Sequence, residues 1–299
     1  MGRRPADGRE ILGSLRERDL NMDRRTCLRV FTVAPLSLLL SPKESLAEGT
    51  RIDFPSLDDG HPYRVSGQLY LPARASSPSP AVVMVHGTTG IDPRGALYRQ
   101  AFTDIGIAVF EVDFKTGVYT GPMDRPSPDA LLAMGFAALR ALRKRPAVDA
   151  RRIGILGFSM GGHLAINTAF ERSRKTWLGD EKGFAAHVGY YPVCKAFLMQ
   201  SDVAVTGAPM LILYGSEDVY GDGENVPRLK ERLKREAKFD LLTVEYAGAA
   251  HGFDRNAPPL SYRDPAAKGG RGYMAWNPEA TADALKRTVA FLRQNLVAG

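Results

Sequence analysis

Residues 153–162 read Ile-Gly-Ile-Leu-Gly-Phe-Ser-Met-Gly-Gly. An apolar run carrying the β-branched Ile153 and Ile155 stops at Gly157-Phe158-Ser159-Met160-Gly161, and a helix-like segment follows. β-Branched residues suit a pleated surface, so the run predicts a strand. Glycines two residues either side of Ser159 predict a backbone that folds back so tightly that side chains there would collide. A serine on such a strand-to-helix turn projects its hydroxyl above the end of a sheet, the layout of a nucleophile elbow.

The flanking sequence predicts the sheet. Residues 51–71 are β-rich and a Pro/Ser segment, 72–80, makes a turn. Ala-Val-Val-Met-Val-His-Gly (81–87) is a continuous apolar run closed by glycine, as expected of a parallel strand buried on both faces. A helix over Ala96–Ile105 and a strand over Ile107–Phe114 come next. Ser127-Pro128 supplies an N-cap and first-turn pair for a helix to about Lys144, and Pro146 ends it. Further strands are expected at His187–Tyr191, Pro209–Tyr214 and Leu241–Tyr246, and Asn277-Pro278 opens a last amphipathic helix to about Leu296. Strands alternating with helices at this spacing imply an α/β fold with a doubly wound, mostly parallel sheet of about seven or eight strands flanked by helices.

A serine hydroxyl is a weak nucleophile until a base within hydrogen-bond reach takes its proton and a third group orients that base. Both partners stand just beyond later strands. Pro209–Gly215 ends in Ser216-Glu217-Asp218, with Asp218 59 residues after Ser159. His251 follows 33 residues later in Gly248-Ala249-Ala250-His251-Gly252-Phe253. Serine, acid and histidine in that chain order, each after a strand, are the α/β-hydrolase arrangement. Asp218 is favoured over its neighbour Glu217, since adjacent residues point in different directions and one alone can orient the imidazole. The backbone N–H of Met160 is expected to form half of an oxyanion hole, with Thr88, after the 81–87 strand, giving the other half.

The segments Pro-Ala-Val-Val-Met-Val-His-Gly (80–87), Val-Asp-Ala-Arg-Arg-Ile-Gly-Ile-Leu-Gly-Phe-Ser-Met-Gly-Gly (148–162), Tyr190-Tyr191-Pro192-Val193-Cys194, Pro-Met-Leu-Ile-Leu-Tyr-Gly-Ser-Glu-Asp (209–218) and Tyr-Ala-Gly-Ala-Ala-His-Gly-Phe-Asp (246–254) resemble the dienelactone hydrolase family of the α/β-hydrolases, over about residues 80–297. The resemblance implies cleavage of a small ester or lactone through an acyl-enzyme. Two departures stand out: Ser159 replaces the family's cysteine nucleophile, and Gly87 lies near where the family carries a glutamate. An ordinary serine-esterase mechanism is therefore expected. A peptidase, thioesterase or acyltransferase on the same triad is the alternative within the fold, and a non-catalytic binding protein the alternative outside it.

Among the remaining polar residues, Arg255, four residues after His251, reads either as a contact for an acidic substrate group or as a surface salt bridge. His86 reads as a substrate-side or oxyanion-loop residue, or as a structural one. His163 is expected to pack or hydrogen-bond, and His61 and His187 to be unremarkable. The five histidines show no metal-ligand spacing, so no metal is expected, and nothing points to another cofactor. Cys194 lies outside the elbow and reads as a small, partly buried residue. Residues 254–276 are Gly/Pro-rich and carry Tyr262, Tyr273 and Trp276; they read as a wall or cover of the pocket, or as a plain insertion.

The chain has 299 residues and a formal net charge of +7. Residues 1–47 hold nine Lys/Arg and six Asp/Glu, leaving 31 against 27 in the other 252 residues, an excess that does not suggest nucleic-acid binding. The densest basic run, Arg228–Lys238, is interleaved with Glu231 and Glu236 and reads as a solvated helix face. At the N-terminus, Arg24-Arg25 precede an apolar stretch over Val30–Leu40, and Ser45-Leu46-Ala47 offers a small-x-small cleavage site. Arg29 and Pro35 interrupt the stretch, which is too short to span a bilayer stably. The pattern resembles a twin-arginine leader. Expected, then, are an export segment over 1–47, with Met22 a candidate start, and one α/β domain over 48–299 bound for the periplasm or the medium. Cys27 would leave with the leader, so Cys194 could form no internal disulfide.

Overall fold

The computed structural model describes residues 48–58, 60, 63–73, 78–115 and 126–298. The expected export segment over 1–47, His61 and residues 116–125 lie outside the described residues.

Eight strands form one sheet: β1 (Thr50–Pro55), β2 (Arg64–Tyr70), β3 (Ser79–Val85), β4 (Ala108–Asp113), β5 (Val148–Phe158), β6 (His187–Tyr190), β7 (Met210–Gly215) and β8 (Leu242–Tyr246). The order across the sheet is β1-β2-β4-β3-β5-β6-β7-β8. β1 and β2 run antiparallel and every pairing from β4 to β8 is parallel. The helices are α1 (Arg94–Thr103), α2 (Pro128–Arg143), α3 (Met160–Asn167), α4 (Glu171–Leu178), α5 (Lys195–Leu198), α6 (Asp222–Arg232) and α7 (Pro278–Leu292). Ser127 caps α2 as its sequence implies, accepting from Ala130 N at 3.1 Å, and Asn277 does the same for α7 from Ala280 N at 3.0 Å.

Every residue of β3 is buried. Because side chains alternate across a strand, Ala81, Val83 and Val85 join Phe110, Ile155 and the α2 residues Leu131, Met134 and Phe136 in one layer. Val82 and Met84 join Tyr98, Phe102, Leu156, Val188, Leu213 and the α7 residues Ala284 and Leu292 in the other. Fully burying one such aliphatic or aromatic side chain contributes about 1.5–3 kcal/mol, so the two layers fix the central strands rigidly. They also set the strand ends level. Val85 pairs with Gly157, Phe158 with Tyr190 and Gly215 with Tyr246.

From β3 the chain steps to β4 on one side, and then returns to β5 on the other. This reversal opens a crevice beyond the carboxyl ends of β3 and β5, where open α/β sheets bind ligands.

Two segments go beyond their sequence reading. Residues 171–178, for which the sequence reading names no element, form α4. The 254–276 segment holds a two-stranded hairpin, β9 (Leu260–Arg263) and β10 (Arg271–Met274), with Gly272 opposite Tyr262. Its strands are four residues long and carry no clear alternation, which is why periodicity misses them. Among the described residues no helix is long and apolar enough to cross a membrane.

Candidate active site

Ser159 sits between β5 and α3 with φ 54° and ψ −112°. A non-glycine residue in this region is strained and is held there by its surroundings. The surroundings are the neighbouring glycines. A Cβ on Gly157 would lie 2.0 Å from the Gly161 carbonyl oxygen, and one on Gly161 would lie 2.5 Å from the Val85 oxygen. The Ser159 N–H donates to Tyr190 O at 3.0 Å, and Ser159 O accepts from His163 N at 2.8 Å. The turn is thus tied to β6 and to its own helix.

The acid and the histidine reach the serine from β7 and β8. A Cβ on Gly215 would lie 2.0 Å from Ala249 O, so only glycine lets the chain before His251 cross the end of β7 this closely. Glu217 N donates to Ala249 O at 3.0 Å across the crossing. His251 then places Nδ1 2.8 Å from Asp218 Oδ2 and Nε2 2.8 Å from Ser159 Oγ. An ionised carboxylate only accepts, so Nδ1 carries the proton and Nε2 accepts from the serine hydroxyl. Asp218 and His251 are both buried, and Asp218 Oδ1 accepts from Tyr220 N at 2.8 Å. Glu217 is exposed.

Gly87 brings the loop after β3 against the elbow; a Cβ there would lie 3.6 Å from Ser159 Cβ. Its carbonyl accepts from Gly90 N at 3.1 Å and from His86 Nδ1 at 2.6 Å. His86 Nε2 accepts from Phe114 N at 3.0 Å. Both ring nitrogens of His86 serve the backbone, as its structural reading expects. The Thr88 carbonyl accepts from Lys115 Nζ at 2.9 Å. Met160 opens α3, where first-turn N–H groups have no partner within the helix.

A buried polar cluster lies under these loops. Arg94 donates from Nη1 to Tyr191 Oη at 2.5 Å and to Asp254 Oδ1 at 3.1 Å, and from Nη2 to Asp92 at 2.6 Å. Its guanidinium also lies over the Phe158 ring, 4.8 Å from the centroid. Tyr191 Oη donates to Asp254 Oδ1, and Tyr98 Oη donates to Asp254 Oδ2 at 2.7 Å. Burial pushes the Tyr191 phenol far above its ordinary range, so it stays a neutral donor. Burial would also push the Asp92 carboxyl up, but hydrogen bonds and charge from Arg94, with a smaller pull from Arg255, hold it below its usual value. Arg255 is half-buried, with its charge felt by Asp92.

Asp222, in the first turn of α6, was not singled out from sequence. It is wholly buried and accepts from Val193 N at 2.8 Å and Cys194 N at 2.7 Å. Those bonds hold a corner in which Tyr191 and Val193 have φ of 38° and 57°. Burial, and then the nearby Asp218 charge, push its carboxyl up from the usual range. No local pattern marks it, because an aspartate in a helix's first turn ordinarily reads as a dipole partner. Cys194 is wholly rather than partly buried, which pushes its thiol well up and leaves it a poor nucleophile. His163 stacks on Phe197 with ring centroids 4.4 Å apart. His187 is a core histidine donating to Ala165 O at 3.0 Å, and burial lowers its pKa to about 4. Among the described residues no three His, Cys, Asp or Glu gather as a metal site.

Comparison with known proteins places this geometry in context. The sequence model of the dienelactone hydrolase family matches residues 65–296. An uncharacterized protein of Mycobacterium tuberculosis is 28% identical over 62% of this chain and 67% of its own length. A probable 2-oxo-3-(5-oxofuran-2-ylidene)propanoate lactonase of a Bradyrhizobium species is 30% identical over 54% of this chain and 57% of its own. The esterase FrsA of Photorhabdus laumondii is 23% identical over 66% of this chain and 55% of its own. Among solved structures, a dienelactone hydrolase-like promiscuous phosphotriesterase from metagenomic libraries superposes with TM-score 0.61 at 20% identity, covering 83% of this chain and 99% of that one. Esterase 2 of Thermogutta terrifontis gives 0.59 at 18% identity, covering 84% and 96%. At these identities the structural likenesses establish the fold.

Proposed function

The chain belongs to the dienelactone hydrolase family, and from that premise we propose that it is a serine hydrolase of small carboxylic esters or lactones acting through an acyl-enzyme. The observation that carries the reading is the unbroken row Ser159–His251–Asp218, with 2.8 Å at each step. Ser159 Oγ attacks the substrate carbonyl carbon as its proton passes to His251 Nε2. Asp218 holds the Nδ1–H tautomer and stabilises the imidazolium that forms. The N–H groups of Met160 and Thr88 receive the charge on the carbonyl oxygen. Collapse of the tetrahedral adduct expels the alkoxide, which takes the proton from Nε2. Water then attacks the acyl carbon as its proton passes to His251 Nε2, and collapse of this second adduct releases the acid while Ser159 Oγ takes that proton back. A lactone substrate would leave as one hydroxy acid, because acyl and alkoxide ends are tethered. The lactonase named among the relatives favours this narrower reading.

The same triad transfers acyl groups to amines or thiols in other proteins, so the class is tested directly. A fluorophosphonate should label the wild type stoichiometrically and leave Ser159→Ala unlabelled, and the variant should lose hydrolysis of short p-nitrophenyl acyl esters and of a lactone panel. An unlabelled wild type would sink the hydrolase reading. Labelling with turnover of peptides alone would replace the ester reading with a peptidase.

A further inference from the structure

His251 stands between two tyrosines. The Tyr191 ring lies 4.7 Å from the imidazole centroid to centroid, and the Tyr220 ring lies 4.6 Å away. They come from different elements, Tyr191 from the corner after β6 and Tyr220 from the loop between β7 and α6. Both rings are tilted to the imidazole, at 60° and 56°.

Each tyrosine is held at its far end by a buried aspartate. Tyr191 Oη donates to Asp254, which Arg94 and Tyr98 also bind. Tyr220 Oη donates to Asp264 Oδ2 at 2.8 Å and, its one proton so used, accepts from Tyr262 Oη at 2.8 Å. Asp254 and Asp264 both belong to the segment that follows His251. The same segment touches the site at two further points. Met274 of β10 bridges to His251 through the backbone, and Lys268 N donates to Val219 O at 2.8 Å, one residue past Asp218.

We propose that Tyr191 and Tyr220 are positioning residues for His251, and that the 254–276 segment is a clamp that supplies an aspartate anchor for each. This rests on the hydrolase reading above. Neither hydroxyl is left to donate to a substrate, since each donates to a carboxylate. Their contribution is to fix the imidazole sideways while Asp218 and Ser159 fix it end to end. A nitrogen displaced by about 1 Å would lower the rate by about 10². The charged and titratable groups facing His251 are Asp218 after β7, Asp222 in the first turn of α6, Ser159 after β5 and the two tyrosines. The clamp adds no charge at the imidazole itself, so it acts on geometry.

The test compares Tyr191→Phe and Tyr220→Phe, which keep the ring and lose the anchor, with Tyr220→Leu, which loses both, and with Asp264→Ala, which is remote from the imidazole. Fluorophosphonate titration counts the functional sites, and turnover of an acyl ester and the inactivation rate constant are expressed per titrated site. The phenylalanine variants should lose about tenfold in kcat and in inactivation rate with KM within twofold, and Tyr220→Leu about a hundredfold. Asp264→Ala should match Tyr220→Phe in turnover per titrated site, and the double variant should fall no further than either single one, because the aspartate's effect on the imidazole runs through that hydroxyl while its bond to Ala266 N lies within the clamp itself. Variants that lose thermal stability and active fraction but keep wild-type turnover per titrated site would overturn the proposal. So would a loss confined to Tyr220→Leu, or additive losses in the double variant. A wild type that fails to label would instead sink the hydrolase reading, whereas a labelled, active wild type with indifferent tyrosine variants would sink the clamp alone.

Discussion

Asp218 is buried with one oxygen on His251, whereas Glu217, its neighbour, is exposed. Replacing Asp218 by Asn puts an amide where a carboxylate must fix the tautomer and face a forming imidazolium; turnover should fall by about 10⁴ in initial-rate assays. Glu217→Gln should stay within twofold, and the reverse pattern would move the acid to Glu217. At this scale the sequence was informative about identity. Serine, acid and histidine each follow a glycine- or alanine-marked strand end, so three short patterns name three residues. It was silent about environment. Asp222, Arg94 and Asp254 look like ordinary surface charges in the sequence, yet Asp222 and Asp254 are buried and the Arg94 side chain is only 8% exposed.

Among the elements, the elbow is the most constrained. A Cβ on Gly161 would press on the carbonyl oxygens of Val85, at 2.5 Å, and His86, at 2.6 Å, which are backbone and cannot step aside. Gly161→Ala should therefore lower stability in urea unfolding by about 1–3 kcal/mol, the usual range for overpacking. It should reduce kcat by more than that loss of folded protein explains, because the atoms displaced lead straight into Gly87 and Thr88. Gly183→Ala is the control: its Cβ would meet nothing nearer than 3.6 Å, and it should leave both measurements unchanged. The β3, β5 and β7 strands and helices α2 and α7 were legible because long apolar runs and capping residues are local signals. The 260–274 hairpin was not, since it is held by contacts to Tyr220, Val219 and His251 rather than by its own pattern.

For the whole molecule, the sheet order puts the elbow and the loop after β3 at a reversal point, and parallel register brings the ends of β5, β6, β7 and β8 level. The site is assembled from loops that only this topology makes neighbours. Export of the chain is a separate proposal resting on the sequence of residues 1–47. Arg24→Lys with Arg25→Lys should retain the protein in the cytoplasm on fractionation, and the exported wild type should begin near Glu48; cytoplasmic wild type with an intact N-terminus would refute it. The sequence by itself determined the α/β alternation, the strands and helices near the nucleophile, and the three residues of the proposed triad, because each is written in spacing along the chain. Only the tertiary structure decided that Tyr191 and Tyr220 flank the imidazole, that Asp222 holds a strained corner, and that Arg94 meets Asp254, 160 residues away. Those contacts depend on which strand ends lie side by side, and burial of a side chain is a property of the packed sheet rather than of any stretch of sequence.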